Sequence, residues 1–263
     1  MEKYAGTQAI ARTFKLIKMF DDDNPIWSLQ DLIEASGLKR TTVFRLLSAL
    51  EAEGIIRKTS EGDYMLGSEL IMLGGRAIRS NRLRTIAQPH LQKLVRETTE
   101  SATIDILWVD EEGYPTSMVI EELLGQRLLG ISQYIGARFP AHTTATGKVL
   151  LAYQPEDALN QLNLNLLTAH TDHTITDLER FKQELANVRK QGFATTTNEL
   201  ELGLAAVAAP IFNHHGEIQA ALCIGGPNYR LSPPNLMALS KIVVKHGSQI
   251  SQEIGHPSPE TIR

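Results

Sequence analysis

Residues 28–58, SLQDLIEASGLKRTTVFRLLSALEAEGIIRK, constrain the fold more than any other stretch. Ser28 suits a helix N-cap, and the carboxylate of Asp31 three positions on comes close to a capping box. Leu29, Leu32 and Ile33 then supply an apolar face at helical spacing. Gly37 permits the left-handed turn that ends this helix, and Leu38 plugs the gap to the next one. Val43, Leu46, Leu47 and Leu50 follow the i, i+3, i+4, i+7 pattern of a second amphipathic helix, which Gly54 terminates. Opposite that stripe stand Thr41, Arg45 and Ser48, flanked by Arg40 and Thr42. No acidic side chain occurs from Ser36 to Leu50. Short hydroxyls and guanidinium groups on an acid-free face are the chemistry that reads base edges and holds phosphates.

Ile55–Lys58, a turn-forming Thr-Ser-Glu-Gly-Asp and Tyr64–Leu66 come next, predicting a strand, a tight turn and a second strand. A helix-turn-helix with such a wing is expected to bind double-stranded DNA, whereas a bare helical hairpin also docks proteins. The candidate DNA-contacting residues are Lys39, Arg40, Thr41, Thr42, Arg45 and Ser48 on the second helix and its entry, with Arg57 and Lys58 on the wing.

The overall charge of −4 argues at first against a nucleic-acid partner. Residues 1–84, however, hold 13 Lys and Arg against 11 Asp and Glu, a balance of +2, and residues 85–263 hold 13 against 19, a balance of −6. The acidity belongs to the second part, so DNA affinity must rest on the local basic cluster and on dimerisation. The 263 residues suit a small domain followed by a medium one, and 42% hydrophobic with 21% charged residues is globular composition. No apolar run reaches the length of a membrane span, and the N-terminal MEKYAGTQAIARTF lacks the apolar core of a secretory signal. A single cysteine, Cys223, excludes an intramolecular disulfide and fits a reducing cytoplasm, the expected location.

A first helix is expected over Thr7–Met19, with Ile10, Phe14, Ile17 and secondarily Leu16 inward and Lys15 and Lys18 outward. Asp21–Pro25 reads as a solvated turn with too few ligands for a metal. From Gly67 helical periodicity returns, broken near Ser80–Asn81 or at Pro89. Its first part, residues 67–80, is a linker helix and candidate dimer contact between a DNA-binding domain at 1–66 and a second domain at 81–255. After Glu100 the pattern changes to alternation. Strands are expected at Ala102–Val109, Ser117–Ile120, Arg127–Gln133, Phe193–Thr197, Ala205–Phe212 and Ile218–Gly225, and an irregular loop at Tyr134–Phe139. Helices are expected at Thr143–Tyr153, Pro155–Leu162, Asp177–Gln191 and from Ser232 to about Ile254. The tail beyond Gly255 should fray. The mixture predicts an α+β protein with helices packed on an antiparallel sheet.

PAHTTATGKVLLA at 140–152, GFATTTNELELGLAAVAAPIF at 192–212 and ALCIGGP at 221–227, behind the winged helix-turn-helix, resemble the IclR family of bacterial transcriptional regulators. The resemblance runs through nearly the whole chain in order and spacing. It implies a GAF-like effector-binding domain, dimers that assemble into tetramers, and a regulator, a repressor in preference to an activator, whose operator binding responds to a small organic acid. It also places the effector pocket on Leu128, Ile131, Phe139, Ala145, Thr146, Thr196, Leu204, Ala206, Cys223 and Gly225. Relatives often carry acids where this chain has Thr195-Thr196-Thr197-Asn198-Glu199, so the effector's identity is not transferable.

The residues themselves support such a pocket. The segment around Thr144–Gly147 opens a helix, whose free N–H groups and dipole suit a carboxylate. Thr146 and Thr196 add hydroxyls, and the apolar members suit a hydrocarbon body. The alternative is that Thr143 or Thr144 is merely an N-cap and the rest is core. No catalytic residue, metal or cofactor is expected. Cys223 lies in an apolar strand and reads as a structural thiol. His170 and His173 lack a third ligand cluster, and His214-His215 falls in a hairpin turn. The rival reading is a DNA-tethered enzyme acting on a small molecule through its second domain.

Overall fold

The computed structural model describes residues 7–164 and 167–257. The chain divides into two compact units at Ser80/Asn81.

The first unit holds α1 (Gln8–Ile17), β1 (Ile26–Trp27), α2 (Leu29–Ser36), α3 (Arg40–Ala52), β2 (Ile56–Lys58), β3 (Tyr64–Leu66) and α4 (Ser68–Ser80). Ser28 Oγ accepts from the Asp31 N–H at 3.1 Å and donates to its carboxylate at 2.7 Å, fixing the start of α2. Gly37, at φ 67°, turns the chain into α3. Leu32, Val43, Leu47, Leu50, Ile56 and Tyr64 then close one small core. The wing pairs antiparallel with Lys58 opposite Tyr64.

Two features differ from the sequence reading. The wing has a third strand: Trp27 Nε1 donates to the carbonyls of Met19 and Asn24, pinning the polar loop so that β1 pairs with β3. In α1 the inward residue is Leu16, fully buried, while Ile10 and Phe14 are more than half exposed. Lys15, expected outward, donates to the Ser36 carbonyl at 2.8 Å. That bond draws the Lys15–Leu16 side onto the end of α2 and rotates the N-terminal apolar residues away.

In the second unit α5 (Arg82–Thr98) starts from the N-cap Asn81, so the helical run breaks there and continues through Pro89. Next come β4 (Ser101–Val109), β5 (Pro115–Leu123), β6 (Arg138–Pro140), a 3-10 turn at Ala141–Thr143, α6 (Ala145–Ala152), α7 (Glu156–Asn160), α8 (Leu178–Gln191), β7 (Ala194–Thr197), β8 (Leu204–Phe212), β9 (Ile218–Pro227) and α9 (Pro233–Glu253). Strand order is β6-β5-β4-β9-β8-β7, every pair antiparallel.

Period-two alternation assigns the two faces. Ala205, Val207, Ala209 and Ile211 of β8 pack with α5 and α9 in one core. Ala206 and Ala208 meet α6 and α8 in the other. The fold is therefore α+β, an antiparallel sheet covered by helices on both sides.

Arg127–Gln133 is not a strand. Side chains take its polar groups before a ladder can: Ser101 Oγ donates to the Ile131 carbonyl at 2.6 Å, and the Gln133 N–H donates to Glu122 Oε1 at 2.6 Å. The edge strand falls instead at β6. The expected fraying of the tail lies, from residue 258, outside the described residues, as do the first six residues of the N-terminus.

Candidate functional site

On α3 the exposed residues Thr41, Arg45 and Ser48 share the face opposite the buried Val43, Leu47 and Leu50. Thr42 is half-buried beside them, and Lys39 and Arg40 stand exposed at the helix entry. Lys39 occupies the N-cap position without a side-chain cap bond, and no acid lies in the first turn. The first N–H groups of α3 thus lack a helix partner beside two cations, a setting that favours phosphate. Phe44, 52% exposed on this helix, was not singled out from the sequence. A protruding ring among hydroxyls and guanidinium suits the apolar edge of a thymine. On the wing Arg57 is exposed, whereas Lys58 pairs with Glu51 at 3.3 Å and lies 5.4 Å over the Tyr64 ring.

In the second unit a cavity of about 40 Å³ lies between the sheet and the start of α6. Its walls are Ser101, Thr103 and Asp105 of β4, Glu122 of β5, Phe139 of β6, Thr196 of β7, Leu204 and Ala206 of β8 and Cys223 and Gly225 of β9. Thr143–Thr146 at the start of α6, Ile131 and Gln133 of one loop and Glu199 and Leu200 of another complete it. A more open groove of about 390 Å³ shares Ile131, Gln133, Phe139, Leu200 and Leu204 with it and forms its mouth. All the sequence-predicted pocket residues meet here except Leu128, which is fully solvent-exposed on the 127–137 loop.

Hydrogen bonds within this wall set its chemistry. Thr144 is the N-cap of α6, its Oγ1 accepting from the Gly147 N–H at 3.0 Å. Gly147 is obligatory because a Cβ there would stand 2.1 Å from the Ala141 carbonyl oxygen. Thr146 Oγ1 donates to Asp105 Oδ2 and Thr103 Oγ1 to Asp105 Oδ1, both at 2.7 Å. Burial raises the Asp105 carboxyl to about 6 against the pull of those hydroxyls. Burial likewise raises Glu122, opposed by the Gln133 N–H. Glu199 is also raised by burial, opposed by the fully buried Lys148 ammonium 2.7 Å away. Glu184 sits on the other side of that ammonium at 3.6 Å. Burial pushes the Cys223 thiol well up, away from nucleophilic chemistry.

Ser101, Thr103, Asp105, Glu122, Gln133 and Glu199 were absent from the sequence-predicted site. For Ser101, Thr103 and Asp105 the one signal is the alternation in Ser-Ala-Thr-Ile-Asp-Ile, which reads equally as a strand with a wet face. Among the described residues no group of three or more His, Cys, Asp or Glu is placed to hold a metal ion. His170 lies 6.1 Å ring to ring from His142, and His214 and His215 are exposed in the β8–β9 turn. Among the described residues no helix is long and apolar enough to cross a membrane.

A winged helix-turn-helix followed by an α+β domain with a cavity of mixed polar and apolar lining defines a DNA-binding regulator with a sensor domain. Residues 9–60 match the family model of the IclR helix-turn-helix domain, and residues 75–252 match that of the bacterial transcriptional regulator IclR C-terminal domain. The chain belongs to the IclR family of bacterial transcriptional regulators. It is 28% identical over 250 residues to the transcriptional repressor IclR of Escherichia coli K12, covering 94% of this chain and 90% of that one. A solved transcriptional regulator from Rhodococcus sp. RHA1 is 31% identical with a TM-score of 0.77, covering 94% and 98% of the two chains. An IclR homologue from Microbacterium hydrocarbonoxydans, solved with 4-hydroxybenzoate, shares the fold at 22% identity and a TM-score of 0.77 over 94% and 98%. These relatives give the enzyme alternative no support.

Proposed function

We propose that this regulator binds a palindromic operator as a homodimer or homotetramer in the cytoplasm, and that a small organic acid in the α6 cavity releases it. Arg45, Thr41, Thr42 and Ser48 read the major groove, Lys39 and Arg40 hold phosphates at the start of α3, and Arg57 with Lys58 grips the backbone through the wing. The observation that carries the reading is the cavity of hydroxyls, carboxyls and apolar side chains against the N-terminus of α6. Thr144 caps the Gly147 N–H, and the Ala145 and Thr146 N–H groups have no helix partner, which favours an anionic end. The effector-site residues are Ile131, Phe139, Ala145, Thr146, Thr196, Leu204, Ala206, Cys223 and Gly225. The 4-hydroxybenzoate held by the Microbacterium homologue is itself a small carboxylate. Self-association is supported by Ile71, Met72 and Leu73 of α4, all exposed, and by Ile10 and Phe14 of α1. The repressor direction follows the named activity of the Escherichia coli relative.

Operator titrations test the DNA half. Arg45→Ala should cost about 1–3 kcal/mol on operator DNA and relax preference at one position per half-site. Arg57→Ala should weaken all sequences alike and reduce the salt slope by about 1. Unchanged operator affinity in a folded Arg45→Ala protein would remove α3 from the groove. For the cavity half, a screen of two- to four-carbon acids should raise the melting temperature of the wild type. The same acids should leave Gly225→Leu unmoved, since its side chain fills the space beside Ile131 and Ala206.

A further inference from the structure

Resting on the reading of the cavity as an effector site, we infer that the molecule it takes is a small hydroxy acid whose hydroxyl donates to Glu199 Oε2, the other buried acceptor, Gln133 Oε1, taking the second hydroxyl of a dihydroxy acid. A hydroxyl side chain has one proton to give. Ser101 gives its proton to the Ile131 carbonyl, Thr143 to the Pro140 carbonyl, and Thr103 and Thr146 give theirs to Asp105. Toward the cavity these four offer lone pairs only.

The lining acids Asp105, Glu122 and Glu199 are acceptors too, and none of the described lining residues is Lys, Arg or His. Two oxygens are left over. Glu199 Oε2 and Gln133 Oε1 are buried with no hydrogen-bond partner among the described residues, and both residues line this cavity. Glu199 is 9% exposed, so water does not serve its carboxylate freely. A buried acceptor without a donor is a standing cost that a guest carrying an O–H removes. The donors left to a guest are the Ala145 and Thr146 N–H groups, the Gly147 N–H being capped by Thr144, together with the Thr196 hydroxyl and the Gln133 amide NH2.

The unmet groups are therefore of two kinds. A bare carboxylate satisfies the α6 donors and leaves the Glu199 acceptor unpaired; a bare diol does the reverse. A hydroxy acid satisfies both. Lys148 already stands 2.7 Å from the other oxygen of Glu199, and an ammonium in place of the hydroxyl is the competing guest that the test includes.

Isostructural probes separate the possibilities. Calorimetry on the full-length protein compares L-lactate, D-glycerate, propionate, L-alanine and 1,2-propanediol. Lactate or glycerate should bind about tenfold or more tighter than propionate, because a site built for a hydroxyl rejects the analogue lacking it. Glu199→Gln, which keeps the bond from Lys148 but replaces Oε2 by a donor, should bring the lactate ratio below about threefold, and Gln133→Leu should remove any advantage of D-glycerate over L-lactate. Propionate is the reference within each variant, so the ratio, and not either affinity alone, is the readout. The Gln133 variant, on a loop, carries the test if the Glu199 variant does not fold.

Equal affinity for lactate and propionate would overturn the inference and leave the acid-binding cavity standing. Preference for alanine would replace the hydroxyl by an ammonium and overturn it too. Binding of propanediol without any acid would remove the carboxylate reading while keeping the donor requirement. An undiminished lactate-to-propionate ratio in the Glu199 variant would take the assignment away from Glu199, and an advantage of glycerate kept in the Gln133 variant would take it away from Gln133. Absence of binding by every probe would end the cavity reading and the inference with it.

Discussion

At the scale of single residues, Asp105 is a buried carboxyl held by two hydroxyls. Its carboxyl is 3% exposed in the middle of β4 and titrates near 6, above the ordinary value of 3.8. A group raised on folding contributes stability below its unfolded pKa and loses that contribution as pH rises through its folded one. A rise of this size corresponds to about 3 kcal/mol, so above pH 6 ionised Asp105 opposes folding by up to that amount. Asp105→Asn, unable to ionise, should raise the stability measured by urea unfolding by about 1–3 kcal/mol at pH 8 and change it little at pH 4. Equal effects at both pH values would mean that the carboxyl does not titrate in this window. Asp105 also marks where the sequence stopped being legible. Ile131, Thr146, Thr196 and Cys223 could be placed by resemblance, but the polar positions of β4 could not. Their partners, Thr146 at 41 residues' separation and the Ile131 carbonyl at 30, become neighbours only once the sheet exists.

At the scale of elements, legibility followed how locally an element is determined. The α2–α3 hairpin was readable because its cap, its Gly37 turn and its apolar stripe lie within 25 residues, and each agrees with the others. The phase of α1 was not, because a long-range bond from Lys15 to the Ser36 carbonyl decides it. Nor was the 127–137 loop, whose backbone groups are claimed by Ser101 and Glu122. Helix α6 combines both situations. Its N-cap Thr144 was a foreseeable alternative, whereas the ion pair of Lys148 with Glu199, 51 residues away, was hidden. Removing the cation strands a buried carboxylate, so Lys148→Met should destabilise the second unit by about 3–5 kcal/mol. Lys148→Met with Glu199→Leu should recover much of that loss, because the pair is replaced rather than broken. A double variant as unstable as the single one would show that packing, not charge, is what Lys148 contributes. Thermal melts of the three proteins at pH 7 decide it.

At the scale of the whole molecule the question is how a cavity in one unit changes DNA binding by the other. We place the functional boundary where the compact units divide, at Ser80/Asn81. Residues 1–80 should then bind operator weakly by themselves, lacking the avidity of the oligomer, and residues 81–263 should fold and bind the effector without DNA. An effector alters operator affinity only through a difference in its own affinity for the DNA-bound and DNA-free arrangements. The coupling is reciprocal: if the acid weakens operator binding by some factor, in the typical range of about 5–150, operator DNA must weaken acid binding by the same factor. Calorimetry of the same acid against full-length protein, alone and saturated with operator, measures one side of the cycle, and fluorescence anisotropy of labelled operator measures the other. The fragment 81–263 should match the DNA-free protein, since it has no operator-bound state to penalise. If the fragment instead bound the acid much more tightly than the full chain, the first unit would restrain the cavity even without DNA. The signal would then have to be a release of that restraint, in place of a change in the spacing of two recognition helices across half-sites about 34 Å apart.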